Sequence, residues 1–495
     1  MDRSERPICL EETRVEHIRF ISEWVASQTD ERVLWVVGVA GAGKSTLVNT
    51  IANDCIKTGN LGAQIYFTRG RDSHNKPAHT VKTIAYQLAK FDPSLRSAIA
   101  EVIKSNGQTL ASPLETQFDT LIAEPVGRAM GLVERGSVVI IVDALDECGS
   151  FRDRESFIKI LSRKVNQLPH HFRFIITGRP ENDLEAAFKA SATIRRHEIA
   201  ISADASKRDV EIYVRSRLEG LRERENTDWP SEDHIIQLAG KADGLFVWAS
   251  TACNYIDDVP LKETLDNIIN LPGSKPLDSL PRLYETALAT DSWKQPVFRD
   301  LCRAVLGAIF TAKEPLSCAE IASLLGREQS AVRMVARFKS VLRWSDTEPI
   351  RPHHASFTDY ITDPELCKDK AWFVDIPAQN RVLADLCIDH LTASLKENVL
   401  GMTLAPKRAH PWKGVCGSLP EAVTYACRYW IGHASPVPAS DERHAQLPAK
   451  VHTFLNTHLL HWIEVMSILD QSRSCVILLE TLHMWLPVSA YSLVD

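Results

Sequence analysis

Three groups of residues in this chain have the types and spacing to handle phosphate. The first is GVAGAGKST, with Gly38, Gly43, Lys44 and Ser45 in the GxxxxGK[ST] spacing. Glycines let a backbone wrap an anion, so the amides of Gly41, Ala42, Gly43, Lys44, Ser45 and Thr46 form a candidate cradle. The N-terminus of a following helix adds partial positive charge. Lys44 offers an ammonium to terminal phosphates, and the Ser45 hydroxyl is a ligand for Mg²⁺. A chance glycine-rich turn gives the same letters, so the phosphate reading requires a strand before the motif and a helix after it.

The second group is VVIIVDALDE. An apolar strand ends in Asp143, whose carboxylate can reach the Mg²⁺ shell from the side opposite Ser45. Asp146 and Glu147, just beyond, are candidates to polarise or orient an attacking water, and the small Ala144 leaves them room. Taken alone, the segment is equally a solvated acidic turn. The third group is FRFIITGRPEND, in which Arg179 follows the strand end at Thr177 and can sense or neutralise a terminal phosphate. Taken alone, Arg179 is a surface residue of a strand-to-helix turn.

These groups need strand ends side by side. Short apolar runs at Val33–Val39, Ala63–Phe67, Val138–Asp143 and Phe172–Gly178 read as buried parallel strands, with a weaker fifth at His197–Ile201. Amphipathic stretches such as Ser45–Ile56, Val81–Leu88 and Ser156–Val165 separate them, so helices should cover both faces of a parallel sheet. Beyond about Ala203 helical periodicity takes over, at Lys207–Leu221, Glu232–Lys241 and after Gly244. The Pro-containing stretch Pro260–Pro281 reads as a joint. Helices are expected at Val297–Phe310, Ser317–Leu325 (with Ser317 and Glu320 as a capping box) and Ala331–Leu342, then an extended piece at Pro349–His353. From about Ala378 the chain reads as helical to its end.

The chain has 495 residues, a soft prior of about three domains. Its 57 Lys and Arg against 63 Asp and Glu give a net charge of −6, without the basic excess of a broad nucleic-acid surface. No apolar run is long enough for a membrane span, and the first ten residues lack a signal-peptide core. Eleven scattered cysteines without a CxxC pair read as reduced thiols of a cytoplasmic protein. The basic stretch Thr68–His79 reads as a solvated loop. The histidines at His170 and His353 lack partners at zinc-ligand spacing.

GVAGAGKST, VVIIVDALDE and ITGRP, in this order and spacing, resemble the NACHT-type NTPases of the signal-transduction (STAND) class. The small residue after Asp143, with acids three and four places on, is the NACHT feature of the resemblance. RPICLEETRVEHIRFISEWV, HTVKTIAYQLAKFDPSLRSAI, GLFVWAS and HHASFTDYITD look like fungal-type NACHT proteins associated with heterokaryon incompatibility and innate-immunity-like signalling. The resemblance implies an α/β P-loop NTPase fold with a parallel five-stranded sheet and helices on both faces, followed by helical, winged-helix and second helical domains. The implied boundaries are a lead-in at 1–30, then 31–203, 204–275, 276–375 and 376–495. It implies ATP or ADP with Mg²⁺, self-association when ATP is bound, and an effector or sensor protein as partner. It also implies that His354 contacts the β-phosphate. From the residues alone, a His before an amphipathic helix is a packed or capping residue, and His353 is an adjacent competitor.

Two departures from the family stand out. Where relatives often carry Gly-x-Pro, this chain has Gly244, Leu245 and Phe246, so an aromatic face takes the proline's place. No separate effector domain or repeat array accompanies the NTPase, as expected of a truncated form or of a chain signalling through partners. The expected function is a nucleotide-operated switch with slow ATP hydrolysis. A sustained-turnover ATPase and a nucleotide-binding scaffold are the alternatives. A GTPase is disfavoured because Asn75 and Lys76 are followed by Pro77 and Ala78 rather than completing NKxD.

Overall fold

The computed structural model describes residues 6–67, 77–129, 136–189, 193–273, 275–345, 348–367, 370–401, 419–437 and 446–486. Residues 68–76 of the basic stretch, and Cys416, lie outside them. Contacts divide the chain into two compact units, Met1–Thr286 with His354–Ser356, and Ala287–His353 with Phe357–Asp495.

The first unit is built on five parallel strands: β1 (Val33–Val37), β2 (Leu61–Tyr66), β3 (Val138–Asp143), β4 (Phe172–Gly178) and β5 (Ile194–Glu198). Their order is β2-β3-β4-β1-β5. β1, β3 and β4 are buried along their whole length, which explains their unbroken apolar runs. Since β4 lies between β1 and β3, its C-terminal end stands between the loop after β1 and the carboxylate ending β3. All three phosphate-handling groups therefore share one edge of the sheet, where such folds bind ligands.

Helices cover both faces. On one, α1 (Val15–Ala26) and α2 (Lys44–Lys57) bury Ile21, Trp24, Leu47, Val48 and Ile51 against Leu34, Val36, Ile141 and Ile175. The lead-in segment is thus part of the sheet's core. On the other, α3 (Pro77–Phe91), α4 (Pro93–Ser105), α5 (Phe151–Lys164) and α6 (Asn182–Lys189) bury Val81, Ile84, Leu95, Phe157, Leu161, Leu184 and Phe188 against Trp35, Ile65, Ile140 and Phe174. α4 starts on Asp92, which accepts from the amides of Ser94 and Leu95. α5 starts on a Ser150/Asp153 capping box.

β5 differs from its expected place. It spans Ile194–Glu198 rather than His197–Ile201, pairing Val33 with Ile194 and Val37 with Glu198. As an edge strand it exposes Arg195, Arg196 and Glu198, so charge rather than an apolar run marks it. Beyond it, α7 (Asp204–Glu225), α8 (Glu232–Ala242) and α9 (Phe246–Asp258) complete the helical part. The expected joint is largely helical, with helices at Lys262–Ile269 and Pro276–Leu288, and Pro281 sits inside the latter.

In the second unit, Pro296–Thr311 and Cys318–Leu324 are helices, the latter opened by the expected Ser317/Glu320 capping box. Ala331–Leu342 is not one helix. A four-residue turn Gln329–Val332 tightens into a 3₁₀ segment, Arg333–Phe338, and Leu342–Arg343 pairs antiparallel with Arg351–Pro352. Buried Val332, Val335, Phe338, Val341 and Leu342 give the run its apolar pattern without fixing a single period. Ile376–Ser394, Glu421–Ala434, Gln446–Ile468 and Ser472–Trp485 follow as helices. Among the described residues no helix is long and apolar enough to cross a membrane.

His433 is fully buried between Asn380 and Tyr425. Its Nδ1 lies 2.9 Å from Asn380 Oδ1 and its Nε2 2.7 Å from the Tyr425 hydroxyl. The neutral ring, donating from Nδ1–H and accepting at Nε2, satisfies both partners. Burial, with Lys313 adding to it, pushes its pKa from 6.5 to about 3. The unfolded chain therefore takes up this proton first, and stability present above pH 6.5 is lost as pH falls towards 3. Urea unfolding of the wild type should lose about 2 kcal/mol from this group by pH 5. His433→Gln should flatten that part of the pH profile.

Candidate functional site

The loop after β1 is held from outside. Lys44 Nζ donates to the carbonyls of Gly38 and Val39 at 2.7 and 2.9 Å, and Ala42 N–H donates to Val39 at 3.2 Å. The Gly41 carbonyl accepts from Val247 N–H on α9 at 3.1 Å, and that of Ala42 from Arg14 Nη2 at 2.7 Å. At Gly41, with φ of +79°, a Cβ would lie 2.1 Å from Val247 Cγ1. Only glycine lets α9 approach this closely. Phe246 lies beside Gly43 with its ring 4.9 Å from the Arg14 guanidinium, so the aromatic expected in place of proline does pack on this loop. Gly244 allows the approach from the other side, since a Cβ there would meet the Ile201 carbonyl at 2.0 Å.

The carboxylate of Asp143 is buried at the end of β3. Its Oδ1 accepts from Thr177 Oγ1 at 2.5 Å and from Ser45 Oγ at 3.1 Å. Burial raises its pKa, and these two hydrogen bonds oppose the rise. Thr177 Oγ1 also accepts from Ala144 N–H at 2.8 Å, which fixes Ala144 in the left-handed region at φ 60°. That turn leads into the 3₁₀ segment Leu145–Glu147. Asp146 Oδ2 lies 3.1 Å from Arg179 Nε. The charges of Asp146, Arg179, Asp143 and Glu147 all act on the Lys44 ammonium. Burial, the largest effect, pushes Lys44 from 10.5 down to about 8.

Ser45 and Asp143 form an all-oxygen pair of the kind Mg²⁺ prefers, and the loop fits the phosphates such a cation accompanies. Those two residues would hold the ion, which when bound neutralises phosphate charge.

Three contributors escaped the sequence reading. Thr177 was visible only as a strand end. Arg14, 2% exposed, reaches Ser206 Oγ at 2.9 Å and Asp209 at 3.7 Å as well as the loop, and nothing in its neighbours announces a buried cation. Arg154 donates to the Asp146 carbonyl at 3.1 Å. It stands one turn before Phe157 and Ile158 on the buried stripe of α5, and an arginine on an apolar stripe was the available signal.

His354 lies among the residues grouped with the first unit. Its Nδ1 accepts from Ser356 N–H at 3.0 Å and lies 2.7 Å from Ser356 Oγ, which in turn bonds the Tyr284 hydroxyl at 2.7 Å. His353 belongs to the second unit, with Nε2 2.7 Å from the Lys339 carbonyl.

Residues 15–179 match the family model described as Nephrocystin 3, N-terminal. Vegetative incompatibility protein HET-E-1 of Podospora anserina is 22% identical over 479 residues, covering 89% of this chain and 33% of that protein. The matched residues contain GVAGAGKST, VVIIVDALDE and ITGR, the motifs that resemble NACHT-type P-loop NTPases. The chain spans about a third of the length of the relative it matches. A STAND protein with a tetratricopeptide repeat sensor from Pyrococcus horikoshii is similar at TM-score 0.47 and 13% identity, over 100% of this chain and 60% of that one. The Drosophila ORC bound to DNA is similar at TM-score 0.37 and 13% identity, over 67% of this chain and 81% of that one.

Two outcomes follow for this site. Gly41→Ala should weaken nucleotide binding at least about tenfold, because α9 must retreat and release the Gly41 carbonyl. Gly41→Ala combined with Val247→Ala should regain part of the loss by calorimetry. Nucleotide affinity should also depend on pH through Lys44. Bound phosphates favour its charged form, so binding takes up a proton once Lys44 titrates. Affinity should be level below about pH 7 and fall above pH 8 by up to about tenfold per unit. Proton uptake measured at pH 9 in buffers of different ionisation enthalpy checks the sign.

Proposed function

We propose that this NACHT domain is the nucleotide-operated part of a signalling switch. It binds ATP or ADP with Mg²⁺, hydrolyses ATP slowly and self-associates in the ATP state. The name of the Podospora relative supports an incompatibility-type output, and the fungal NACHT resemblance an immunity-like one, in the cytoplasm and through an effector or sensor protein. The observation that carries the switch is the Val247–Gly41 hydrogen bond. Through it a helix outside the sheet is built directly onto the phosphate loop, so a change in what the loop holds is felt by α9. A motor of sustained turnover needs no such tie. A pure scaffold would have no use for the full set of Lys44, Ser45, Asp143 and Glu147.

In this proposal Lys44 leaves the carbonyls of Gly38 and Val39 for the terminal phosphates. Ser45 and Asp143 hold the cation, Glu147 orients the attacking water, and Arg179 reads the terminal phosphate. The helices from Asp204 to 275, the region 276–375 with its short antiparallel pair, and 376–495 serve as helical, winged-helix and second helical domains. His354 contacts the β-phosphate in the ADP state.

The decisive measurement is the nucleotide that copurifies with the protein. ADP supports the switch, and an empty site with fast turnover supports a motor. Lys44→Ala should lose about ten- to a hundredfold in affinity for both nucleotides. Glu147→Gln should bind ATP at wild-type strength and hydrolyse it more slowly in a single turnover. Wild-type hydrolysis by Glu147→Gln would remove Glu147 from its role.

A further inference from the structure

We propose that Asp146 is the internal ligand against which a terminal phosphate competes for Arg179, and that this competition sets how strongly the site prefers a triphosphate over a diphosphate. The proposal rests on the reading of this site as a nucleotide switch and adds a determinant of its specificity.

The ion pair is largely withdrawn from water: the Asp146 side chain is 5% exposed and that of Arg179 20%. Either partner left alone there would be costly. Asp146 is braced through its backbone. Arg154 donates from Nη1 to the Asp146 carbonyl at 3.1 Å, and its Nε and Nη2 reach Asp183 Oδ2 at 3.0 Å and Glu181 Oε2 at 3.2 Å. One guanidinium thus ties the acidic turn to the loop that follows Arg179. The turn is pinned again two residues earlier, where Ala144 N–H donates to Thr177, and is closed by Glu147 N–H on the Ala144 carbonyl at 2.9 Å. Asp146 is short, and its backbone is fixed on both sides. Arg179 has a long side chain and is the more exposed partner. If the pair opens, Arg179 moves.

Both partners act on the Lys44 ammonium, Asp146 favouring its charge and Arg179 opposing it. Arg179 directly follows the end of β4, which stands between the loop after β1 and the end of β3, so the pair lies at the edge of the sheet that carries the phosphate loop. A diphosphate leaves the pair intact. A further phosphate offers Arg179 two or three anionic oxygens, suited to a bidentate guanidinium, but taking Arg179 strands the Asp146 carboxylate. The triphosphate's gain is the difference between the two partnerships. Asp146 thereby holds the site towards its diphosphate form, and the water-orienting role falls to Glu147.

The test measures dissociation constants of Mg²⁺–ADP and of the Mg²⁺ complex of the β,γ-imido analogue of ATP, by calorimetry on the full chain. The quantity read is the ratio of the ADP constant to the analogue constant. Asp146→Asn, which keeps size and removes charge, should raise the ratio about tenfold. Arg179→Ala should lower it, and Asp146→Asn added to Arg179→Ala should change it no further. Arg154→Gln leaves both partners present and removes the brace together with its ion pairs to Glu181 and Asp183, so it should raise the ratio by less, and it serves alone if Asp146→Asn does not fold. An unchanged ratio in Asp146→Asn overturns the proposal. So does an equal rise with or without Arg179, which would show simple charge removal, or an unchanged or lowered ratio in Arg154→Gln. A wild type that binds both nucleotides while the cycle is additive defeats this proposal alone. A wild type that binds neither defeats the reading of the site as well.

Discussion

A peptide unit that turns its N–H toward an anion turns its carbonyl away, and that carbonyl must find a donor. The phosphate loop depends on this constraint. The carbonyls of Gly38, Val39, Gly41, Ala42 and Gly43 are met by Lys44, Ala42, Val247, Arg14 and Leu47. The donors come from the loop, the helix it opens, the segment before the sheet and a helix beyond it. Sheet, lead-in and helical region are joined through the outer side of one short turn.

The same economy governs the charges. Asp143, Lys44, Asp146, Arg179, Arg154 and Arg14 sit close together at the sheet's edge, where an unpaired charge would be expensive. Each has a defined neighbour: hydroxyls for Asp143, carbonyls for Lys44, an acid for Arg179, and a mixture for the other two arginines. Neutral dipoles hold the groups that are to meet cation and phosphate, so a ligand replaces hydrogen bonds rather than breaking an ion pair. Arg179 is the exception, and the preference for triphosphate is argued from it.

Much of this was legible in the sequence where one physical effect dominates. Strands buried on both faces must be apolar throughout, so β1, β3, β4 and the loop between β1 and α2 could be read directly. Legibility failed where two effects compete. β5 gains its place from backbone pairing with β1 while its side chains face solvent, and the nearby apolar Ile199 and Ile201 drew the reading three residues too far along. Residues 331–342 are buried at too many positions to betray that they form a turn, a 3₁₀ segment and a strand. Pro281 reads as a breaker, yet helix Pro276–Leu288 runs through it. Among site residues, Lys44, Ser45, Asp143, Asp146, Glu147 and Arg179 sit in local patterns that spell out their chemistry. Arg14 and Arg154 act on residues distant in the chain, and only the fold brings those together.

The Val247–Gly41 contact has a consequence for how the protein is made. Gly41 emerges from the ribosome long before Val247, with β2 to β5 and α2 to α8 synthesised in between. A nascent chain ending after β5 contains every residue of the phosphate motif but lacks the donor and the packing partner that set the shape of the turn. A nascent chain of that length should therefore hold nucleotide more weakly than the finished one, and its affinity should rise once translation has passed α9.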